Sequence, residues 1–375
     1  MPIYKAGGKK DGLQRYRVRV AITDSNGKTR QKERVAYGLE QAKLVETELL
    51  RTKNLPSGRS VTVTALVDEW MASRQKSIRE TSRAKDRQYM NHHILPYIGQ
   101  QRLDKLNTKV LQSWKNALDD TALSLRTKNL AYSTLNAAIN YAVRMEYIPS
   151  NPLSKLGRFQ DATADYTKKI DYYTPEEFKL FIAAAQQAAE AADANLNAAE
   201  WHYYVFFNIA FYTGLRKGEI NALCWKDISG NVLTVSRSVA QKLKNGDRIT
   251  PPKNKASFRS LQLPTPLLAI LAEHKERCCQ FSGFSEENFI CGIDRSLRDT
   301  TIENRNRQYA AAAGVKKLRI HDFRHSHASL LANEGINIQE IARRLGHAKI
   351  EMTWNTYSHL YPREEERAIA ILNQI

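Results

Sequence analysis

Long apolar runs are absent from this 375-residue chain, and no stretch approaches the length that crosses a bilayer, so no membrane segment or membrane partner is expected. The start, MPIYKAGGKK, lacks the apolar core of a secretory signal. Cysteine is scarce. Cys224, Cys278, Cys279 and Cys291 are irregularly spaced, which excludes a disulfide framework and fits reduced thiols in a cytoplasm. Internal repeats and low-complexity tracts are missing too. Negative charge is in deficit: 39 Asp and Glu face 57 Lys and Arg, a formal net charge of +18 and a pI near 9.7. Such an excess favours polyanions through counterion release. A ribosomal or chromatin protein would share the sign, so charge alone indicates only a class of partner.

What the chain does have is a set of polar residues gathered in its second half. Arg216 lies in TGLRKGE, Lys253 in PPKNK, His321 and Arg324 in HDFRH, and His347 in LGH; Tyr357 comes last, in WNTYSH. The non-bridging oxygens of a phosphodiester under attack gain negative charge, and guanidinium groups match them with forked, permanently charged donors. Fixed charges aimed at developing charge are usually the largest catalytic effect. A free tyrosine is phenolate only about one time in a thousand at pH 7, so a nucleophilic Tyr357 needs nearby cations and a base. His321 is the candidate for that base. A lysine with a lowered pKa protonates the leaving 5′ oxygen, and His347 hydrogen-bonds the phosphate. No metal or cofactor is needed to complete the set.

These segments resemble the tyrosine recombinases of the phage and transposon integrase family. TGLRKGEINALCWKDI resembles the first arginine box, with Arg216 as the catalytic arginine and Glu219 as its acidic supporter. HDFRHSHASLLANEGINIQEIARRLGHAKIEMTWNTYSHL resembles the second box. The resemblance gives His321 and Arg324 the H-x-x-R roles, His347 the His/Trp position and Tyr357 the nucleophile. PPKNKASFRSLQLP resembles the β-hairpin lysine region, where Lys253 matches best and Lys255, two residues on and on the same strand face, stays open. The resemblance implies recombination without ATP or divalent metal, through a 3′-phosphotyrosine and a four-way junction. The implied partners are core-type and arm-type DNA attachment sites, a homo-tetramer on DNA, and an excisionase and a DNA-bending host factor as companions, in a bacterial cytoplasm beside the nucleoid.

Rival readings come from other classes. A type IB topoisomerase-like enzyme shares the chemistry without joining two partners. A DNA-binding regulator would retain the fold alone. His321, His325 and His327 have spacing compatible with a zinc hydrolase, but no cysteine pair or carboxylate at ligand spacing accompanies them.

The expected fold is mainly α with small β-sheets (α+β), in three parts. Residues 1–55 read as a small three-stranded sheet plus helix. Tyr16, Val18, Val20 and Ile22 alternate with Arg15, Arg17 and Arg19, Ser25-Asn26-Gly27 offers a hairpin turn, and Arg30, Lys32 and Arg34 return at period two. The expectation is one basic face on arm-type DNA. After a linker at Asn54–Gly58, residues 60–157 read as a helical core-binding bundle, with one stripe at Val63, Leu66, Val67, Trp70 and Met71 and another at Leu135, Ala138, Ile139, Ala142 and Val143. Arg83, Arg87 and Lys128 are its expected DNA contacts. Residues 170–375 read as the catalytic domain, opened by the capping box Thr174-Pro175-Glu176-Glu177. Its tail, with Ala368, Ile371, Leu372 and Ile375, is expected to dock on a neighbouring protomer.

Overall fold

A computed structural model describes residues 3–23, 29–51, 61–160, 171–195, 198–241, 246–252, 255–361, 369 and 372–373, with backbone alone at 22–23, 29–30 and 51. The expected hairpin turn at 25–27, the linker at 54–58, Lys253 and most of the tail lie outside these residues. The chain divides into two compact units, Met1–Asp165 and Tyr166–Ile375.

The first unit holds two separate apolar cores. Strands β1 (Ile3–Lys10), β2 (Leu13–Thr23) and β3 (Thr29–Tyr37) form an antiparallel sheet in that order, covered by α1 (Leu39–Arg51). Val18, Val20 and Ala36 meet Ala42 and Leu49 in its core, as period-two and period-3.6 patterns require. The register overturns one expectation. Val18 pairs with Arg34 and Val20 with Lys32, while Arg17 pairs with Val35 and Arg19 with Glu33. Directly opposed residues share a face, so Lys32 and Arg34 belong to the helix-covered face and Arg15, Arg17 and Arg19 to the other. There is no single basic face. Arg34 accordingly pairs with Glu48 of α1 at 3.1 Å.

The second core is a helical bundle of α2 (Val63–Ser73), α3 (Glu80–Tyr89), α4 (Leu95–Ile98), α5 (Thr108–Asp119) and α6 (Leu125–Arg144). Both stripes point inward, with only Val143 less than fully buried. Between α3 and α4 the chain makes a π-turn over Met90–Ile94, just ahead of Pro96. Proline has no N–H to continue an α-helix, and the wider turn absorbs the break. Trp114 seals it by donating to the His93 carbonyl at 2.8 Å.

In the second unit, α7 (Pro175–Asp193) begins at the capping box: the Thr174 hydroxyl accepts from the Glu177 N–H and the Glu177 carboxylate accepts from the Thr174 N–H. The central helix α8 (Glu200–Thr213) is buried on nearly every side, so it carries no polar stripe. Phe178 stacks on Phe211 at 3.7 Å, and Phe181 packs edge-on against Phe207 and Phe323. A one-turn helix α9 (Lys217–Ile220) comes next, then short strands β4 (Ile228–Ser229), β5 (Val232–Val235), β6 (Ser238–Ala240), β7 (Arg248–Thr250) and β8 (Arg259–Gln262). They form one sheet in the order β4-β5-β8 and a two-stranded β6-β7 ribbon. Helices α10 (Thr265–Cys279), α11 (Asp299–Ala312), α12 (Ile320–Asn333), α13 (Ile338–Leu345) and α14 (Glu351–Tyr357) complete the unit. No helix among the described residues is long and apolar enough to cross a membrane.

Candidate active site

Two left-handed glycines deliver the first side chains. α8 ends at Gly214 (φ 64°), where an added Cβ would lie 2.7 Å from the His327 ring, so the turn accepts no side chain without a shift. Two residues on, Arg216 caps α9, and Glu219 accepts from both its backbone N–H (3.0 Å) and its Nη1 (2.8 Å). α13 ends at Gly346 (φ 66°), whose carbonyl accepts from Arg216 Nη2 at 3.2 Å.

Glu219 is buried between two cations, because Arg259 Nη2 donates at 2.9 Å to Oε2, the oxygen that also accepts the Arg216 backbone N–H. Burial alone would raise this carboxyl, but Arg259 and Arg216 hold it below the usual range and ionised. Arg259 is itself buried, and its Nε and Nη1 donate to the carbonyls of Arg344 and Ser257. Sequence reading missed Arg259. Its signal was an arginine in phase with the inward Leu261 of a short alternating strand.

Arg324 lies on α12 with 2 % of its surface exposed. Its Nη1 donates to the Gly214 carbonyl at 2.9 Å, and its Nη2 has no partner among the described residues. Desolvation and the Arg216 charge push the guanidinium down to about 9, which still leaves it protonated at neutral pH. His321, in the first turn of α12, keeps one side open to solvent. Partial burial, with His325 and Arg324 adding, pushes it down to about 4. His347 is half-buried, held by Thr353 Oγ1 at 2.7 Å, and brought to about 4 chiefly by burial and then by Arg324 and Arg216. Both imidazoles are therefore neutral at pH 7.

Tyr357 has 1 % of its surface exposed and packs against Ala328, Ala332, Ile341 and Leu345 of α12 and α13. Burial raises its phenol well above the ordinary value, with the Arg324 charge pulling the other way. Its hydroxyl lies 2.6 Å from Nδ1 of His325, a residue that sequence reading placed only in a possible metal triplet. That triplet does not converge. His327 turns away to donate from Nδ1 to the Phe211 carbonyl at 2.9 Å, while His321 and His325 stand edge to face at 5.1 Å.

The lysine region is only partly described. Lys255 is exposed and opens a 3-10 turn, Lys255–Ser257, so it does not lie on a strand face as expected, while Lys253 is outside the described residues. The turn nevertheless reaches the site: Ser257 Oγ lies 3.4 Å from Arg216 Nη1.

The expected DNA contacts of the first unit fare unevenly. Arg17 and Arg19 are exposed beside Glu33, and Arg15 is half-buried. Lys32 and Arg34 are exposed, on the opposite side of the sheet, and the side chain of Arg30 is outside the description. Arg83 donates to the Gln75 carbonyl and Arg87 to Asp68. Lys128 is a correction: it is 9 % exposed, with its ammonium held by the Asp119 carbonyl (2.8 Å) and carboxylate (2.9 Å), which makes it a structural cation.

Among the described residues one His/Cys group has donor atoms within 4.8 Å of one another: His202, His274 and Cys278, all buried. Burial holds both histidines low and Cys278 at about 11, and His274 Nε2 donates to the Ile290 carbonyl at 2.8 Å, so these are neutral core groups.

Residues 173–364 match the phage integrase family, and residues 62–118 match the phage integrase N-terminal SAM-like domain. The chain belongs to the phage integrase family. It is a tyrosine recombinase, an enzyme of site-specific DNA cleavage and rejoining. Among relatives, the ICEBs1 integrase of Bacillus subtilis is 28% identical over 88% of this chain and 89% of its own length. A XerC-like tyrosine recombinase of Caldanaerobacter subterraneus is 26% identical over 98% and 97%. In fold, the chain is similar to the Tn1549 transposon integrase solved with a circular intermediate DNA (TM-score 0.65, 20% identity, 84% of this chain and 99% of that one). It also resembles a lambda integrase solved as a tetramer on a Holliday junction (TM-score 0.57, 17% identity, 97% of each chain).

Proposed function

We propose that this recombinase integrates and excises a mobile element by attack of Tyr357 on a DNA phosphodiester. Arg216 and Arg324 clamp the non-bridging oxygens, His321 and His347 hydrogen-bond the phosphate as neutral imidazoles, and Lys253 or Lys255 protonates the leaving 5′ oxygen. Glu219 orients Arg216. The 3′-phosphotyrosine retains the energy of the broken bond, so the 5′-hydroxyl of a partner duplex reseals the strand. In this reading residues 1–55 engage arm-type sites, 60–157 grip the core site and 170–375 carry the chemistry. Four protomers act on two sites in a bacterial cytoplasm, with an excisionase and a DNA-bending host factor as companions.

One observation carries the reading. The Tyr357 hydroxyl lies against the helix that bears Arg324, and Arg324 keeps an unpartnered donor free for a phosphate oxygen. The test uses duplexes built from the repeats flanking the gene. Tyr357→Phe is expected to abolish covalent protein–DNA adducts, seen as a denaturing-gel shift, while DNA affinity stays within about threefold. An adduct formed by that variant removes Tyr357 as nucleophile.

A further inference from the structure

We propose that His325 is the general base of this reaction, taking the phenolic proton of Tyr357 directly on Nδ1 as the oxygen attacks phosphorus. The inference rests on the assignment of Tyr357 as nucleophile and goes beyond it, replacing His321, the base expected from sequence, with the residue that touches the hydroxyl.

Geometry comes first for any candidate base. His325 Nδ1 is 2.6 Å from the Tyr357 hydroxyl, whereas His321 packs edge to face on the His325 ring, centroids 5.1 Å apart, and makes no hydrogen bond to that hydroxyl among the described residues. The rings of His325 and Tyr357 are tilted by 54° with centroids 5.8 Å apart. For Nδ1 to accept, the neutral imidazole carries its own hydrogen on Nε2.

The step balances without a co-reactant. The Tyr357 O–H bond breaks and its proton passes to Nδ1, the O–P bond forms, and the P–O5′ bond breaks with its electron pair leaving on O5′. In resealing, O5′ attacks, the O–P bond to tyrosine breaks and His325 returns the proton. An imidazolium exists only between the two steps. The groups facing it are Asp322, which stabilises it, Arg319 and Arg324, which oppose it, and the His321 and Tyr357 rings. Asp322 stays ionised because Arg319 donates to both of its oxygens, at 2.9 and 2.8 Å. Burial raises the phenol and lowers His325, so the proton stays on oxygen until the forming O–P bond weakens its hold. Transfer is thereby confined to the moment of attack.

The experiment measures single-turnover adduct formation by the full chain on a nicked duplex carrying the repeat that flanks its gene. His325→Gln is expected to slow the adduct by about 10²- to 10⁴-fold, with DNA affinity within twofold. The defect should persist on a substrate whose 5′ bridging oxygen is replaced by sulfur, because that leaving group needs no proton. His325→Ala should recover at least tenfold with added imidazole. A His325→Gln rate within threefold of the unmodified chain overturns the proposal. So does a defect that vanishes on the sulfur substrate, or an alanine variant that imidazole does not restore. Tyr357→Phe, run alongside, separates the two readings: an adduct from it removes the nucleophile, whereas an inert Tyr357→Phe beside an unimpaired His325→Gln removes only the base.

Discussion

Glu219 holds two arginines at once, and the charge count at this point is unforgiving. Arg259 and Glu219 each have 3 % of the side chain exposed, so removing the carboxylate leaves Arg259 as an uncompensated buried charge. Breaking such a pair costs about 3–5 kcal/mol. Glu219→Gln is therefore expected to lower the urea midpoint of the second unit by that equivalent and to slow adduct formation, because both arginines lose the charge that anchors them. A midpoint shift under about 1 kcal/mol would mean the pair is solvated and the anchor idle. At this scale the sequence displayed Arg216, Arg324, His347 and Tyr357 through motif spacing, since each sits at a fixed offset from a helix end. It did not display Arg259 or His325. Their importance comes from what touches them across 40 and 32 residues of chain, and no local pattern encodes that.

Helix ends decide the next level. At Gly346 a methyl group would lie 2.9 Å from Arg259 Nη1 and 3.0 Å from the Ala256 carbonyl, in a backbone conformation that already disfavours any side chain. Gly230 has a comparable φ of 58° but open space around it. Gly230→Ala should cost only the left-handed strain, about 1–2 kcal/mol. Gly346→Ala should exceed it by at least about 1 kcal/mol and also slow cleavage, since its carbonyl holds Arg216. Equal losses by thermal melting would show that the turn yields freely. Element types were largely readable: alternation gave the sheet of the first unit, two apolar stripes gave its bundle, and the capping box began α7. Which faces the basic rows occupy was not readable. Alternation fixes the spacing within a strand, and only the register across the turn decides which rows share a side.

For the molecule as a whole, the second unit stores histidines in their neutral form. His274 and His327 are brought down to about 3 and His321 and His347 to about 4, with His202 and His325 also lowered, in each case chiefly by burial. An unfolded histidine takes up a proton near pH 6.5, so below that value the unfolded chain binds protons that the folded one refuses. Stability is thus full above about pH 6.5 and falls progressively toward pH 3. The almost fully enclosed His274 and His327 contribute most, and the partly open His321 less. Lowered Glu219 and Asp322 act in the same direction at the acid end. Urea titrations at pH 7.5, 6 and 5 should show a decline of a few kcal/mol at constant slope; a flat profile would contradict the neutral assignments. The α+β class and the polyanion partner were visible in composition and pattern. The separation of 1–165 from 166–375 was only approximately so, because contacts define it.

The enclosure of Tyr357 also has a consequence for chemical survival. This chain carries 17 tyrosines, and most reagents that nitrate or iodinate phenols take the accessible ones first. A phenol enclosed between two helices is shielded from such electrophiles, so Tyr357 should be among the last of these side chains to be modified.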